Sequence, residues 1–104
     1  MLIVTTDSVA GKEIVEVLGL VRGSTIRSKN IGKDIGAGLK GLVGGELNGY
    51  NEMLNEARQI AIGRMVEDAQ AKGANAIVGM RLASSAVMQG AAEMVAYGTA
   101  VIIK

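Results

Sequence analysis

The side chains available for chemistry in this 104-residue chain are carboxylates, ammonium and guanidinium groups, hydroxyls and thioethers, because it contains no Cys and no His. That composition excludes a thiolate nucleophile, an imidazole base, a disulfide framework and the usual zinc or copper ligand sets. Ser24 and Ser28 lie near Lys29 and Lys33 in the sequence, the residue types of a Lys-assisted hydroxyl nucleophile. Proximity in sequence sets no geometry, however, and surface Ser beside Lys is the ordinary case. Glu52, Glu56, Glu67 and Asp68 could offer oxygens to a hard cation, but they lack the spacing of a calcium loop and fit a solvated helix face better. Met53, Met65, Met80, Met88 and Met94 are scattered through apolar stretches, where Met fills gaps in a core. No catalytic residue, no metal ligand and no cofactor site is assigned within one chain. A site built from symmetry-related copies of one carboxylate stays open.

Two further features point to anions. Gly36-Ala37-Gly38-Leu39-Lys40-Gly41 fits G-x-G-x-x-G, whose glycines bring backbone N–H groups close to a pyrophosphate at a helix start. Here the glycines fall within an expected helix and no βαβ unit surrounds them, so close helix packing is the better reading. Residues 22–40 carry Arg22, Arg27, Lys29, Lys33 and Lys40 against Asp34, a local +4 within a net charge of +1. Single-stranded nucleic acid would call for stacking aromatics, and the nearest is Tyr50; no nucleic-acid partner is expected. An oligomer that repeated Arg27 and Lys33 around an axis would instead concentrate positive potential toward a small anion.

The elements that must position these groups follow from periodicity. Leu2-Ile3-Val4-Thr5 reads as an edge or interface strand. Glu13–Arg27 is rich in β-branched residues and reads as one long bent strand or two sharing a corner, with Gly19 and Gly23 where a bend or bulge would fall. Ile31, Ile35, Leu39, Leu42 and Val43 step at helical spacing and predict a short helix over about 31–43, ended by Gly44-Gly45. The long helix is expected over Asn51–Lys72, capped by Asn48 or Asn51 and stopped by Gly73. Its stripe is Leu54, Ala57, Ala61, Met65 and Ala69, widened by Ile60, while Ile62 and Val66 fall beside it. Gly63 within it suggests a second backbone close by. Two more strands, Asn75 to about Ser84 and Glu93–Ile103, are joined near Gln89-Gly90. In the last one, Met94, Ala96, Gly98, Ala100 and Ile102 share one face and Val95, Tyr97, Thr99, Val101 and Ile103 the other. Both faces are apolar, which predicts cover from the chain's own helix and from a neighbour. The expected fold is α+β, a mainly antiparallel sheet packed on one long helix in β-β-α-α-β-β order, as a single domain over 1–104.

The apolar content sharpens that last point. Leu, Ile, Val and Met supply 35 side chains, Gly and Ala another 29 positions, and Tyr50 and Tyr97 are the only aromatics. A domain of this size leaves much surface exposed, and a mean hydropathy of +0.33 is high for it. Part of the aliphatic surface is expected to meet another copy, making the chain its own partner in a homo-oligomer. The first residues show no basic leader, and no stretch reaches the roughly 18 apolar residues of a membrane span. A cytoplasmic location with no membrane partner is the default.

Gly44-Gly45 followed by Gly49-Tyr50, Gly73-Ala74-Asn75-Ala76-Ile77-Val78-Gly79 at the helix exit, and Gly98-Thr99-Ala100-Val101 in the last strand resemble the YbjQ family of small bacterial and archaeal proteins. The resemblance runs nearly end to end and includes Gly19–Val21. It implies a dodecin-like subunit fold, assembly as a ring, typically a pentamer, and no assigned activity or catalytic residues. It also carries a heavy-metal-binding label, which this chain's lack of Cys and His does not support. The reading favoured is a non-enzymatic homo-oligomeric module. The alternative is a protein that binds a metal ion or small anionic ligand at a symmetric subunit interface.

Overall fold

A computed structural model describes residues 1–28 and 45–104, with helix side chains from Gly49 onward. The expected helix over 31–43 and the G-x-G-x-x-G match lie outside the described residues. Within them the order is β1 (Leu2–Ile3), β2 (Ile14–Ser28), α1 (Gly45–Ala71), β3 (Ala76–Met88) and β4 (Ala91–Ile103). Among the described residues the fold is α+β, one helix packed on a four-stranded sheet ordered β1-β3-β4-β2. The sheet is mixed. β4 pairs antiparallel with both β2 and β3, whereas β1 runs parallel to β3, with Leu2 opposite Ala76 and Ile3 opposite Ile77.

β2 is a single strand, not two, because its alternation survives from Leu20 onward: Val21, Gly23 and Thr25 are buried and Leu20, Arg22, Ser24 and Ile26 exposed. Its bend comes earlier, where the register with β4 slips between Ile14 and Glu16 and again between Val17 and Gly19. Gly19 sits at the second slip with φ 104°, a conformation that costs any residue with a Cβ. Gly23 has another reason. A Cβ there would collide with the Ala61 carbonyl oxygen and the Met65 amide nitrogen and come within 2.7 Å of the Arg64 carbonyl carbon. The close backbone approach expected at Gly63 is therefore made from the strand side, at Gly23. Among the described residues nothing stands within 4 Å of a Cβ added to Gly63.

α1 begins six residues before the expected Asn51, so Asn48 and Asn51 lie inside it and not at its start; the helix end expected at Gly44-Gly45 lies outside the described residues. Helix extension is inexpensive once a core-anchored segment has paid for nucleation. That anchor is the expected stripe: Ala57, Ala61, Met65 and Ala69 are fully buried, with Leu54 partly so. Ile62 and Val66, not Ile60, widen it against the core. The C-terminus is a Schellman cap: Gly73 has φ 84°, its N–H donates to Gln70 O (3.0 Å), and the Ala74 N–H donates to Ala69 O (3.1 Å).

α1 lies over β2 and β4 and hardly touches β3. Between helix and sheet, Val21, Ile77, Met94, Ala96 and Ala100 close the main core. On the opposite, outer face a smaller core joins Ala76, Val78, Val101 and Ile103 beneath Val4, Val9 and Ile14. This second core covers one end of the sheet. From Arg81 to Gln89 every residue of the chain is exposed, whereas Ala91, Ala92 and Met94 on the β4 arm of the hairpin are buried.

Candidate functional site

The groups that sequence reading offered for chemistry are distributed by this architecture between two places. The first is a polar seam where α1 crosses β2. The Arg27 guanidinium pairs with the Glu56 carboxylate, and Arg64 Nη1 donates to the Ser24 carbonyl oxygen at 2.7 Å. The Arg22 backbone N–H donates to Asp68 Oδ2 at 3.2 Å, while Asp68 Oδ1 faces Lys72 Nζ at 3.5 Å. Glu56 and Asp68, two of the four carboxylates considered for a hard cation, thus already face cations of the chain. Arg27, one of the two residues considered for an anion, faces a carboxylate; its companion Lys33 lies outside the described residues, as does Lys29. Ser24 and Ser28 sit on β2, and Ser24 meets Arg64 through its carbonyl. Among the described residues no three of His, Cys, Asp and Glu stand close enough to hold a metal ion.

The thioethers do not converge either. Met65 and Met94 lie in the main core and Met80 packs against its margin, whereas Met53 is half-buried on α1 and Met88 is exposed. Tyr50 is half-buried near the start of α1. Asn75 is the residue that reading missed. Its Oδ1 accepts from the Ile103 N–H at 2.8 Å and its Nδ2 donates to the Ile103 carbonyl at 2.9 Å. The side chain thereby extends the β3–β4 ladder beyond its last backbone pair. The only signal in the sequence was an Asn between a helix stop and a strand, a position open to many local roles.

The second place is the outer face of the sheet beyond the small core. The register sets Arg22 opposite Tyr97 on one side and Arg81 opposite Tyr97 on the other, so two guanidinium-bearing residues flank the aromatic across three strands. Above and below this row lie Leu20, Ile26 and Val95, with Leu20 65% and Ile26 63% exposed. The expected two-sided cover of β4 is thus met by the chain itself on the helix side and at Val101 and Ile103, and not along Val95–Thr99. Among the described residues this face is aliphatic and carries the two cations Arg22 and Arg81.

A family model described as "Putative heavy-metal-binding" matches residues 1–104. The chain belongs to the YbjQ family. Among similar proteins, a UPF0145 protein of Clostridioides difficile (strain 630) is 75% identical over 104 residues, covering all of this chain and 93% of the relative. One from the archaeon Methanosarcina acetivorans is 60% identical over 103 residues, covering 99% and 97% of the two chains. Another, from Vibrio parahaemolyticus, is 56% identical over 101 residues, covering 97% and 96%. None of these names states an activity. The fold is similar to a crystal structure from Pediococcus pentosaceus, titled a protein with unknown function of the DUF74 family. Its TM-score is 0.61 at 18% identity, over 100% of this chain and 98% of that one. The YbjQ resemblance read from the glycine motifs is therefore confirmed over the whole chain. The metal label in the family description finds no matching ligand set among the described residues.

Proposed function

We propose that this YbjQ-family chain is a one-domain, non-enzymatic subunit of a homo-oligomer, with a dodecin-like arrangement and a pentameric ring as its assembled form, acting in the cytoplasm. The observation that carries this reading is the exposure of large aliphatic side chains on ordered strands. Val17, Leu20 and Ile26 are each more than 60% exposed on β2, in a chain whose described residues form cores on both sides of the sheet. Burying them would stabilise an assembly by about 25 cal/mol per Å² of apolar area. Shape supports the same reading. The Cα radius of gyration is 17.1 Å with extents of 54 × 23 × 16 Å, against about 13 Å for a compact chain of this length. Native mass spectrometry of the untagged chain tests this: the expected species is five times the 10.7 kDa subunit. A single-chain mass at micromolar concentration would end the proposal.

A second reading, capture of a small anion, is favoured by the Arg22–Tyr97–Arg81 row, since an assembly would repeat those cations. Titration with inorganic phosphate checks it: binding that is lost in Arg22→Ala with the subunit count unchanged supports it, and no binding to the intact assembly removes it.

A further inference from the structure

We propose that α1 guards the outer edge of β2: the Arg64 and Asp68 side chains stand in for a neighbouring strand and keep further strands off the regular stretch of that edge. This goes beyond the reading above and holds whatever the subunit count.

β2 closes one side of the sheet, and among the described residues no strand pairs with its outer edge. It has the marks of a strand that others join. It is 15 residues long, holds no Pro and no Lys, and exposes Val15, Val17, Leu20 and Ile26. Its first half is protected by shape, because the two register slips between Ile14 and Gly19 twist that part of the edge away from a straight partner. From Gly19 to Ser28 the register with β4 is unbroken, running opposite Ala100 to Ala91. This regular stretch needs another device.

α1 supplies it. Hydrogen-bonding direction alternates along an antiparallel strand, so the backbone groups of Arg22 and Ser24 both face away from β4. The Arg22 N–H donates to Asp68 Oδ2 (3.2 Å), and the Ser24 carbonyl accepts from Arg64 Nη1 (2.7 Å). A pairing strand would set its backbone about 4.8 Å from β2 and bond to these same two residues in succession. The carboxylate and the guanidinium already fill that position. The edge is therefore interrupted at two consecutive outward-facing residues, between the exposed aliphatics Leu20 and Ile26.

The sequence of α1 is arranged for this placement. Glu56, Arg64 and Asp68 are spaced by multiples of four residues, which sets them on one flank of the helix. They meet Arg27, Ser24 and Arg22 in turn, so helix and strand run antiparallel. Asp68 is held from its other oxygen, where Lys72 Nζ stands 3.5 Å from Oδ1. Gly23, between the two guarded residues, brings the strand close enough for side chains of α1 to reach round it, since a Cβ there would strike the Ala61 carbonyl and the Met65 amide. Polar contacts this exposed add little to stability. Control of the edge is what they add.

Sedimentation velocity and electron microscopy of Arg64→Ala/Asp68→Ala, beside the unsubstituted chain, test this. The double variant is expected to keep its far-ultraviolet circular dichroism and to grow with rising concentration from a finite species into open-ended polymers. Arg64→Lys/Asp68→Asn keeps a donor and an acceptor and is expected to match the unsubstituted chain. Adding Ile26→Lys to the double variant places a charge on the reopened edge and should abolish the growth. Asn75→Ala, a costlier change at the start of β3, should cause none. Unchanged size of the double variant would overturn the proposal, as would growth that survives Ile26→Lys or that Asn75→Ala reproduces. Loss of native circular dichroism in the double variant moves the decision to the single variant Asp68→Ala and to the Arg22 amide, followed by hydrogen exchange in dilute solution. That amide should exchange slowly in the unsubstituted chain and about tenfold faster in Asp68→Ala. Equal rates would overturn the proposal.

Discussion

Gly23 and Gly63 face each other in the logic of the fold, and their substitutions should have opposite signs. Ala at Gly23 sets a Cβ against the backbone of Ala61 and Met65, which cannot retreat without lifting α1 from the sheet. A cost of about 1–3 kcal/mol is expected for such overpacking, read as a lower midpoint in urea. Gly63→Ala meets nothing within 4 Å and removes a flexible residue from a helix interior, so it should raise stability by up to about 1 kcal/mol. If Gly63→Ala lowers the midpoint, another surface contacts that side of α1. Asn75→Ala removes both hydrogen bonds to Ile103 and should cost about 1–3 kcal/mol. Asn75→Asp keeps the acceptor for the Ile103 N–H but sets a carboxylate oxygen against its carbonyl, so it should not restore the loss. Residue types predicted the first of these sites only as a generic break in β2. A glycine that admits another element and a glycine that turns a strand look the same in a sequence; in the fold Gly19 has φ 104° at a register slip, whereas Gly23 faces the backbone of Ala61 and Met65.

At the scale of elements, periodicity revealed most of what the side chains enforce. The Ala57, Ala61, Met65, Ala69 stripe, the Gly73 stop and the turn at Gln89-Gly90 all follow from local chemistry and all appear in the fold. Met65→Ala should therefore be the costliest single helix substitution, about 2–5 kcal/mol, since Met65 is the largest fully buried side chain on α1. Glu56→Gln, by contrast, breaks an ion pair whose side chains are 39% and 61% exposed, and should change stability by no more than about 1 kcal/mol. A much larger loss would mean that the seam is covered in the assembled protein. The start of α1 and the parallel β1–β3 pair were not legible. Glycine-rich residues around Gly45 carry no cap signal, and a two-residue strand has too few positions to state its partner or direction. The candidate site was even less legible, because the outer face is defined by which strand residues the helix fails to cover. That depends on the position of α1 over β2 and β4, not on any motif.

For the whole molecule, assembly couples to stability by mass action. A chain that buries Val17, Leu20 and Ile26 only in an oligomer should melt at temperatures that rise with protein concentration, which a dilution series by differential scanning fluorimetry reads directly. Leu20→Lys places a charge within that surface and should shift native mass spectra toward smaller species. Its far-ultraviolet circular dichroism should stay unchanged, because Leu20 contributes to neither core. A ring that persists with Leu20→Lys would mean that assembly uses another surface.

The small outer core, confined to Ala76, Val78, Val101 and Ile103, gives the β3–β4 hairpin an asymmetry along its length. Its strand termini are clamped on two faces and tied again through Asn75, while its β3 arm is exposed from Arg81 to Gln89 and its β4 arm is buried at Ala91 and Ala92. Local opening in the single chain is therefore expected to be easier along the Arg81–Gln89 part of β3 than at the open ends of the hairpin. Such a hairpin is expected to close from its base during folding, with the exposed half of β3 the last part to become rigid.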